Sequence, residues 1–413
     1  MGDRDAGVRR AAERMPGVRS IARRLPDGRT FDLAYVRTGR PGGPTVLVVP
    51  GGPGLASVLP YPVVRAIAAA KGLDVLMVEH RGVGLSRRDQ DGLDLPSAAL
   101  TIEDAVADLV AVLDAEGIGR VVAYGSSYGT YLVQGLAVQH PERIVGMVLD
   151  SPMRSARDLD VVRRHLRTLL WDGVEGTTRS AALLRELVAD GTVDVRETGA
   201  VVPVVFEAGG PALVERLLEA LSQGRGRRTW DWVRSVGSEE VDGPDSPYTL
   251  ETDLVGRIGY RELDYGAPPD GLPLDPQVVL AGGAARHSTF VGEPFDLVGA
   301  SAKFEWPTAV VSGARDLRTP RPLAEALVAD LPDGVLVPLP STGHSVLDTH
   351  ALAALHVAGA VAAGHHDRLP RLADRIDALP RRGNGSHWVG RVLRARLAAD
   401  LALSALAAPR GGA

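Results

Sequence analysis

Two serines stand side by side in "VVAYGSSYGTYLV", residues 121–133, and only one can be the tip of a Gly-x-Ser-x-Gly turn. Gly125 and Gly129 lie two positions either side of Ser127, whereas Tyr124 and Tyr128 hold those positions around Ser126. A strand-forming run leads in and a helix-forming run leads out. Ser127 is therefore expected on a sharp turn, its oxygen presented above a sheet edge and beside a helix N-terminus that favours developing negative charge. A hydroxyl is a poor nucleophile at its free pKa and needs a base, which in turn needs an orienting acid.

Of the ten histidines, His344 in "PLPSTGHSVLD" follows a strand pattern and precedes a helical one, which places it at the same kind of edge. His80 ends another strand, before a turn expected to shape the pocket floor. His140 reads as a helix-end or surface residue, His350 and His356 fall within a helical pattern, and His365, His366 and His387 lie outside the strand series. For the acid, Asp316 in "VVSGARDLRTP" comes just past an apolar run, on the same edge; the lesser alternative there is a cap for the helix that follows near Pro320. An oxyanion pocket is expected from "VVPGGPGLAS", residues 48–57, where backbone N–H groups of Gly51 or Gly52 would act with that of Tyr128. A phosphate cradle is not indicated, since neither Gly-Lys-[Ser/Thr] nor Gly-x-Gly-x-x-Gly occurs there.

These residues need a scaffold that brings strand ends together. Buried-type strands are expected at 45–50, 74–80, 120–125 and 144–150, after a pair of strands joined by "PDGRT". Helical patterns separate them. The clearest, "TIEDAVADLVAVLDAEG", sets Ile102, Val106, Leu109, Val110 and Leu113 on one face, with Thr101 as N-cap and Gly117 as the stop. Apolar strands alternating with helices imply an α/β chain with a mostly parallel central sheet covered on both faces. From about residue 155 to 300 the strands give way to helical runs. The alternation resumes at 307–313, 321–330 and 334–340, with a last helix from about 345 to 363. The expected organisation is a core first part at 1–154, an inserted helical cap at 155–300, a core second part at 301–364 and a helical tail at 365–413.

Composition narrows the chemistry. The chain has 413 residues and no cysteine, so disulfides, thiol nucleophiles and cysteine-ligated metals are excluded. Net charge is −5 without a sustained basic face, so nucleic acid is not an expected partner. No 18-residue apolar run offers a membrane span, and the opening residues contain no uninterrupted apolar signal segment, so the expected location is the cytoplasm.

Taken together, "GGPG" (51–54), "EHRGVGLS" (79–86), "GSSYGTYL" (125–132), "HPERIVGMVLDSP" (140–152), "GARDLRTP" (313–320) and "STGHS" (341–345) resemble the α/β-hydrolases of the proline iminopeptidase and tripeptidyl aminopeptidase group. The order Ser, Asp, His along the chain is the one that fold uses. The resemblance implies Ser127 as nucleophile, His344 as general base, Asp316 as its partner, and a helical cap. It also implies a serine hydrolase that removes N-terminal residues from short peptides through an acyl-enzyme, with no metal or organic cofactor. Three departures stand out: Pro50 replaces the histidine of the usual "HGGPG", His80 replaces the Asp or Gln before "RG", and Tyr260 replaces a cysteine in "RIGYRELDYG". That last segment resembles the tripeptidyl-type cap, which implies Glu262 as the group binding a substrate's free α-amino end. Two alternatives stay open: an esterase, lactonase or acyl-transferring enzyme for a small specialised metabolite, and a non-catalytic binding protein on the same fold.

Overall fold

The computed structural model describes residues 3–39, 42–242, 246–381 and 389–407. They divide into two units, Met1–Asp158, Asp245–Asp264 and His287–Asn384 in one, and Leu159–Pro244, Tyr265–Arg286 and Gly385–Ala413 in the other. Residues 245–264 and 287–300 thus belong with the sheet, and the C-terminal segment with the helices.

In the first unit, among the described residues, eight strands form one sheet: β1 (Val18–Arg24), β2 (Thr30–Thr38), β3 (Thr45–Val49), β4 (Val75–Val78), β5 (Val121–Ser126), β6 (Ile144–Asp150), β7 (Thr308–Gly313) and β8 (Gly334–Leu339). Their order is β1-β2-β4-β3-β5-β6-β7-β8. β1, β2 and β4 pair antiparallel and the remaining neighbours pair parallel. The β3, β4, β5 and β7 side chains are buried throughout, as expected for parallel strands covered on both faces. From β3 the chain steps outward to β4, then returns to the other side of β3 to lay down β5. That reversal opens a crevice at the carboxyl ends of β3 and β5, where ligands bind in sheets of this kind.

One face of the sheet carries Val46, Val48, Met77, Val122, Tyr124 and Val148, packed with the helices Pro62–Ala70, Ala351–Ala362 and Leu369–Asp377. Alternate strand residues point to the opposite face, where Ile102–Ala115 packs beside Tyr128–Gln139 and the latter lies on β5. The first of these helices begins as its sequence requires: the Thr101 side chain accepts from Asp104 N, and Gly117 leaves it with φ +65°. The single helix expected over 345–363 is two, Val346–Thr349 and Ala351–Ala362, broken at His350. His350 adopts φ −151° and aims Nε2 at Asp377 O, 3.2 Å away, so it is not the helix-interior residue its pattern implied.

The second unit is helical. It contains Thr178–Ala189, Thr198–Gly209, Pro211–Ser222, Arg227–Asp242, Gln277–Ala284 and Val389–Ala407. Trp230 is fully buried and donates Nε1–H to Glu197 Oε2 at 2.9 Å. The last helix docks through Leu393 and Leu397, and its buried Asp400 accepts from Thr229 N and Oγ1, both at 3.0 Å. His387 lies outside the described residues. Among the described residues no helix is long and apolar enough to cross a membrane.

Candidate active site

The Gly-x-Ser-x-Gly segment forms the turn its spacing implies. β5 ends at Ser126, Ser127 takes φ 51° and ψ −121°, and the helix starts at Tyr128. A left-handed φ is costly for a residue with a Cβ and persists only where its surroundings impose it. Here Ser127 N donates to Asp150 O at 2.8 Å, while Thr130 N and Oγ1 donate to Ser127 O at 2.8 and 2.6 Å. The flanking glycines are needed for close approach. A Cβ on Gly125 would lie closer than 3.0 Å to Gly129 O, and one on Gly129 closer than 3.0 Å to Val49 O and Pro50 O. Strand and helix could not cross so near with side chains there.

His344 and Asp316 meet this serine. His344 Nε2 is 2.9 Å from Ser127 Oγ, and Nδ1 is 3.0 and 3.1 Å from the two oxygens of Asp316. A carboxylate only accepts, so Nδ1 carries the proton and Nε2 offers its lone pair to the serine hydroxyl. Asp316 is 1% exposed. Burial pushes its carboxyl up, but the His344 ring, Thr319 and Ser151 outweigh this and hold it below the ordinary aspartate value. Arg318 N and Thr319 N fix Oδ1 at 3.0 and 2.9 Å, and Thr319 Oγ1 donates to Oδ2 at 2.9 Å. Asp316 thus shapes the turn before the helix Arg321–Asp330 and also orients the imidazole. Ser127 and His344 remain partly exposed. The set can abstract the hydroxyl proton and turn Ser127 into a nucleophile.

Beside Ser127 lies the loop after β3. Gly51 approaches so closely that a Cβ there would stand 3.3 Å from Ser127 Cβ. Gly52 follows, in the left-handed region at φ +124°, and Tyr128 opens the helix on the other side of Ser127. The far end of the loop is fastened by residues that motif reading passed over. Glu79 Oε2 accepts from Ser57 N and Val58 N at 2.6 and 2.9 Å, and Oε1 from Leu85 N at 3.2 Å. Arg65 donates to Ser57 O at 2.9 Å and Val58 O at 2.6 Å. Burial pushes the Glu79 carboxyl up to about 7, against the pull of those N–H groups. The available signals were a carboxylate closing an all-apolar strand and one arginine inside "PVVRAIAAA", both unusual in buried settings.

A cavity under this loop is lined by Pro50, Gly51, Glu79, His80 and Tyr128 among others. His80 Nδ1 is 2.6 Å from Arg81 O and must donate to it, so Nε2 accepts from Tyr128 OH at 3.2 Å. Burial lowers His80 to about 4, which keeps the ring neutral. It lines the cavity beside Glu79 and Tyr128.

Glu262 is engaged at the start of a helix. Its Oε2 accepts from Ile102 N at 2.9 Å, at the N-terminus of the helix Ile102–Ala115, and among the described residues it makes no hydrogen bond to Ser127, Asp316 or His344. Burial raises its carboxyl and the Ile102 N–H partly offsets this. Tyr260, two residues earlier, stacks on His287 with ring centroids 4.4 Å apart. Among the described residues no group of three or more His, Asp or Glu side chains is arranged to hold a metal ion.

A family description of the α/β hydrolase fold matches residues 44–189. The chain has the α/β-hydrolase fold. Within that fold it is similar to the proline iminopeptidase of Neisseria meningitidis, 33% identical over 117 residues. The match spans 28% of this chain and 35% of that protein, so only about a third of the relative's length is covered. A probable proline iminopeptidase from Leptolyngbya boryana is 23% identical over 329 residues, 78% of this chain and 88% of the relative. Among solved structures, the proline iminopeptidase of Mycobacterium smegmatis superposes with a TM-score of 0.50 at 17% identity, covering 86% of this chain and all of that one. At that identity the likeness speaks for the hydrolase fold alone.

Proposed function

We propose that this protein is a serine hydrolase that cleaves N-terminal residues from short peptides through an acyl-enzyme. The reading is carried by one observation: a single imidazole bridges the Ser127 hydroxyl and the buried Asp316 carboxylate at hydrogen-bonding distance. In the proposed cycle Ser127 Oγ attacks the substrate carbonyl while His344 Nε2 takes its proton, and Asp316 steadies the resulting imidazolium. Backbone N–H groups of Gly51 or Gly52 and of Tyr128 hold the oxyanion. His344 then returns the proton to the leaving amine, and water, activated by the same imidazole, releases the acyl group. The peptide preference draws support from the proline iminopeptidases to which the chain is similar. Glu262 would bind the free α-amino group.

The engagement of Glu262 by Ile102 N favours keeping a second reading, an esterase, lactonase or acyl-transferring enzyme for a small metabolite. A fluorophosphonate probe should label the wild type and not Ser127→Ala. Aminoacyl-arylamides should turn over faster than their N-blocked forms. Turnover of p-nitrophenyl esters alone would select the second reading, and an unlabelled wild type would leave a binding protein on a hydrolase fold.

A further inference from the structure

Ser126, the serine that the Gly-x-Ser-x-Gly frame passes over, is fully buried, and its hydroxyl is 2.7 Å from that of Ser345. Ser345 Oγ is in turn 2.5 Å from Asp348 Oδ2. A carboxylate oxygen accepts, so Ser345 spends its one proton there and receives its other hydrogen bond from Ser126. Tyr61 OH fills the second oxygen of Asp348 at 2.6 Å. The chain of donors therefore runs one way, from Ser126 through Ser345 to Asp348.

Its position gives it meaning. Ser126 precedes Ser127, and Ser345 follows His344. Two hydrogen bonds thus join the same two loops side by side, Ser127 to His344 at 2.9 Å and Ser126 to Ser345 at 2.7 Å. The first is partly exposed and is the bond along which the Ser127 proton passes to His344. The second is sealed from water and takes no part in the reaction. Ser345 takes a left-handed φ of 57°, and its N–H is held on Ser151 Oγ at 3.0 Å. The next two N–H groups, of Val346 and Leu347, end on the Asp150 carboxylate at 3.0 and 2.8 Å, and Asp150 O takes the N–H of Ser127 itself.

Resting on the serine-hydrolase reading, we propose that Ser126, Ser345 and Asp348 are positioning residues that clamp the nucleophile loop to the histidine loop and so hold Ser127 and His344 at reacting distance. Loosening by 1 Å would cost about a hundredfold in rate. Binding, which the clamp does not touch, would be spared.

With p-nitrophenyl acetate, Ser126→Ala and Ser345→Ala are each expected to lower kcat by about 10- to 100-fold with KM within about twofold of the wild type. The double variant should be no slower than the slower single, because both remove one and the same bond. Asp348→Ala, which removes the acceptor of both hydroxyls, should show the same loss in kcat alone. It supplies the test should Ser126→Ala fail to give a cooperative urea transition. Wild-type kcat in the singles, fully multiplicative losses, or a KM rise that accounts for the loss would overturn the clamp. Fluorophosphonate labelling keeps the two ideas apart: an unlabelled wild type ends the hydrolase reading, whereas a labelled wild type with unimpaired variants ends only the clamp.

Discussion

Replacing Asp316 by asparagine probes the site's logic more sharply than removing the nucleophile. Asp316 Oδ1 faces two backbone donors that cannot turn away, Arg318 N at 3.0 Å and Thr319 N at 2.9 Å. The asparagine oxygen must therefore take that place, which puts its NH₂ where Oδ2 was. There the amide meets Thr319 Oγ1, whose hydroxyl can rotate and accept. It also meets His344 Nδ1 at the 3.1 Å now spanned to Oδ2, while the oxygen left at Oδ1, 3.0 Å from Nδ1, is already occupied by the two backbone N–H groups. Two N–H groups at that distance repel. The imidazole relieves the clash by moving its proton to Nε2, which then points a donor at Ser127 Oγ where a base is needed. The wrong tautomer costs about four orders of magnitude in turnover, or roughly 5 kcal/mol of transition-state stabilisation. The acceptor lost from the buried turn should cost about 1–3 kcal/mol of stability. The assay is kcat/KM with p-nitrophenyl acetate and the rate of fluorophosphonate labelling, on protein shown by urea titration to be folded. A loss smaller than about tenfold would refute the argument, since it would mean that His344 keeps its working tautomer without Asp316.

Three further outcomes follow from the geometry. Glu79 titrates near 7 in the fold against an ordinary 4.5, so the stability its protonated form confers is full below about 4.5 and is lost as pH rises through about 7. The unfolding free energy of the wild type minus that of Glu79→Gln should fall between pH 5 and 8, by at most about 3 kcal/mol at 1.36 kcal/mol per pH unit; a flat difference would contradict the burial. Gly129→Ala drives a Cβ against the carbonyl oxygens of Val49 and Pro50, neither of which can swing aside. It should cost about 1–3 kcal/mol and abolish fluorophosphonate labelling, and labelling at the wild-type rate would show that the turn tolerates a side chain. Glu262→Gln keeps an acceptor for Ile102 N, whereas Glu262→Ala should lose about 1 kcal/mol as a removed cap. If the carboxylate receives a substrate ammonium, Glu262→Gln alone should raise KM for aminoacyl-arylamides about tenfold and leave esters untouched; an unchanged KM removes Glu262 from substrate recognition.

Much of this architecture was legible because its signals are local. A parallel strand buried on both faces is an unbroken apolar run, and β3 to β8 lie within two residues of where such runs predict them. Ser127, Asp316 and His344 could be singled out without knowing any distance, because each follows such a run and a parallel sheet gathers those ends on one edge. The hidden parts depend on partners remote in sequence. Glu79 holds the N–H groups of Ser57 and Val58, and Arg65 the carbonyls of the same two residues. Backbone groups look alike in any sequence, so nothing announces which buried charge will find them. His350 breaks a helix whose apolar pattern runs straight through it, since periodicity reports which face is buried and not whether the backbone is continuous.

The placement of the site then has a topological cause. After β3 the chain moves out to β4 and comes back across β3 to make β5, so the loops leaving β3 and β5 part in opposite directions and leave a gap between them. The glycine loop of residues 51–54 fills one wall of that gap and the Ser127 turn the other, which is why a Cβ on Gly51 would touch Ser127. The glycine loop and the Ser127 hydroxyl are thus brought together by strand order before any side chain is chosen. What the sequence adds is restraint. Glu79 and Arg65 hold one wall, Asp150 and the Ser126–Ser345–Asp348 chain hold the other to His344, and the bonds of Ser127 N to Asp150 O and of Thr130 to Ser127 O keep Ser127 in a backbone conformation it would not otherwise adopt.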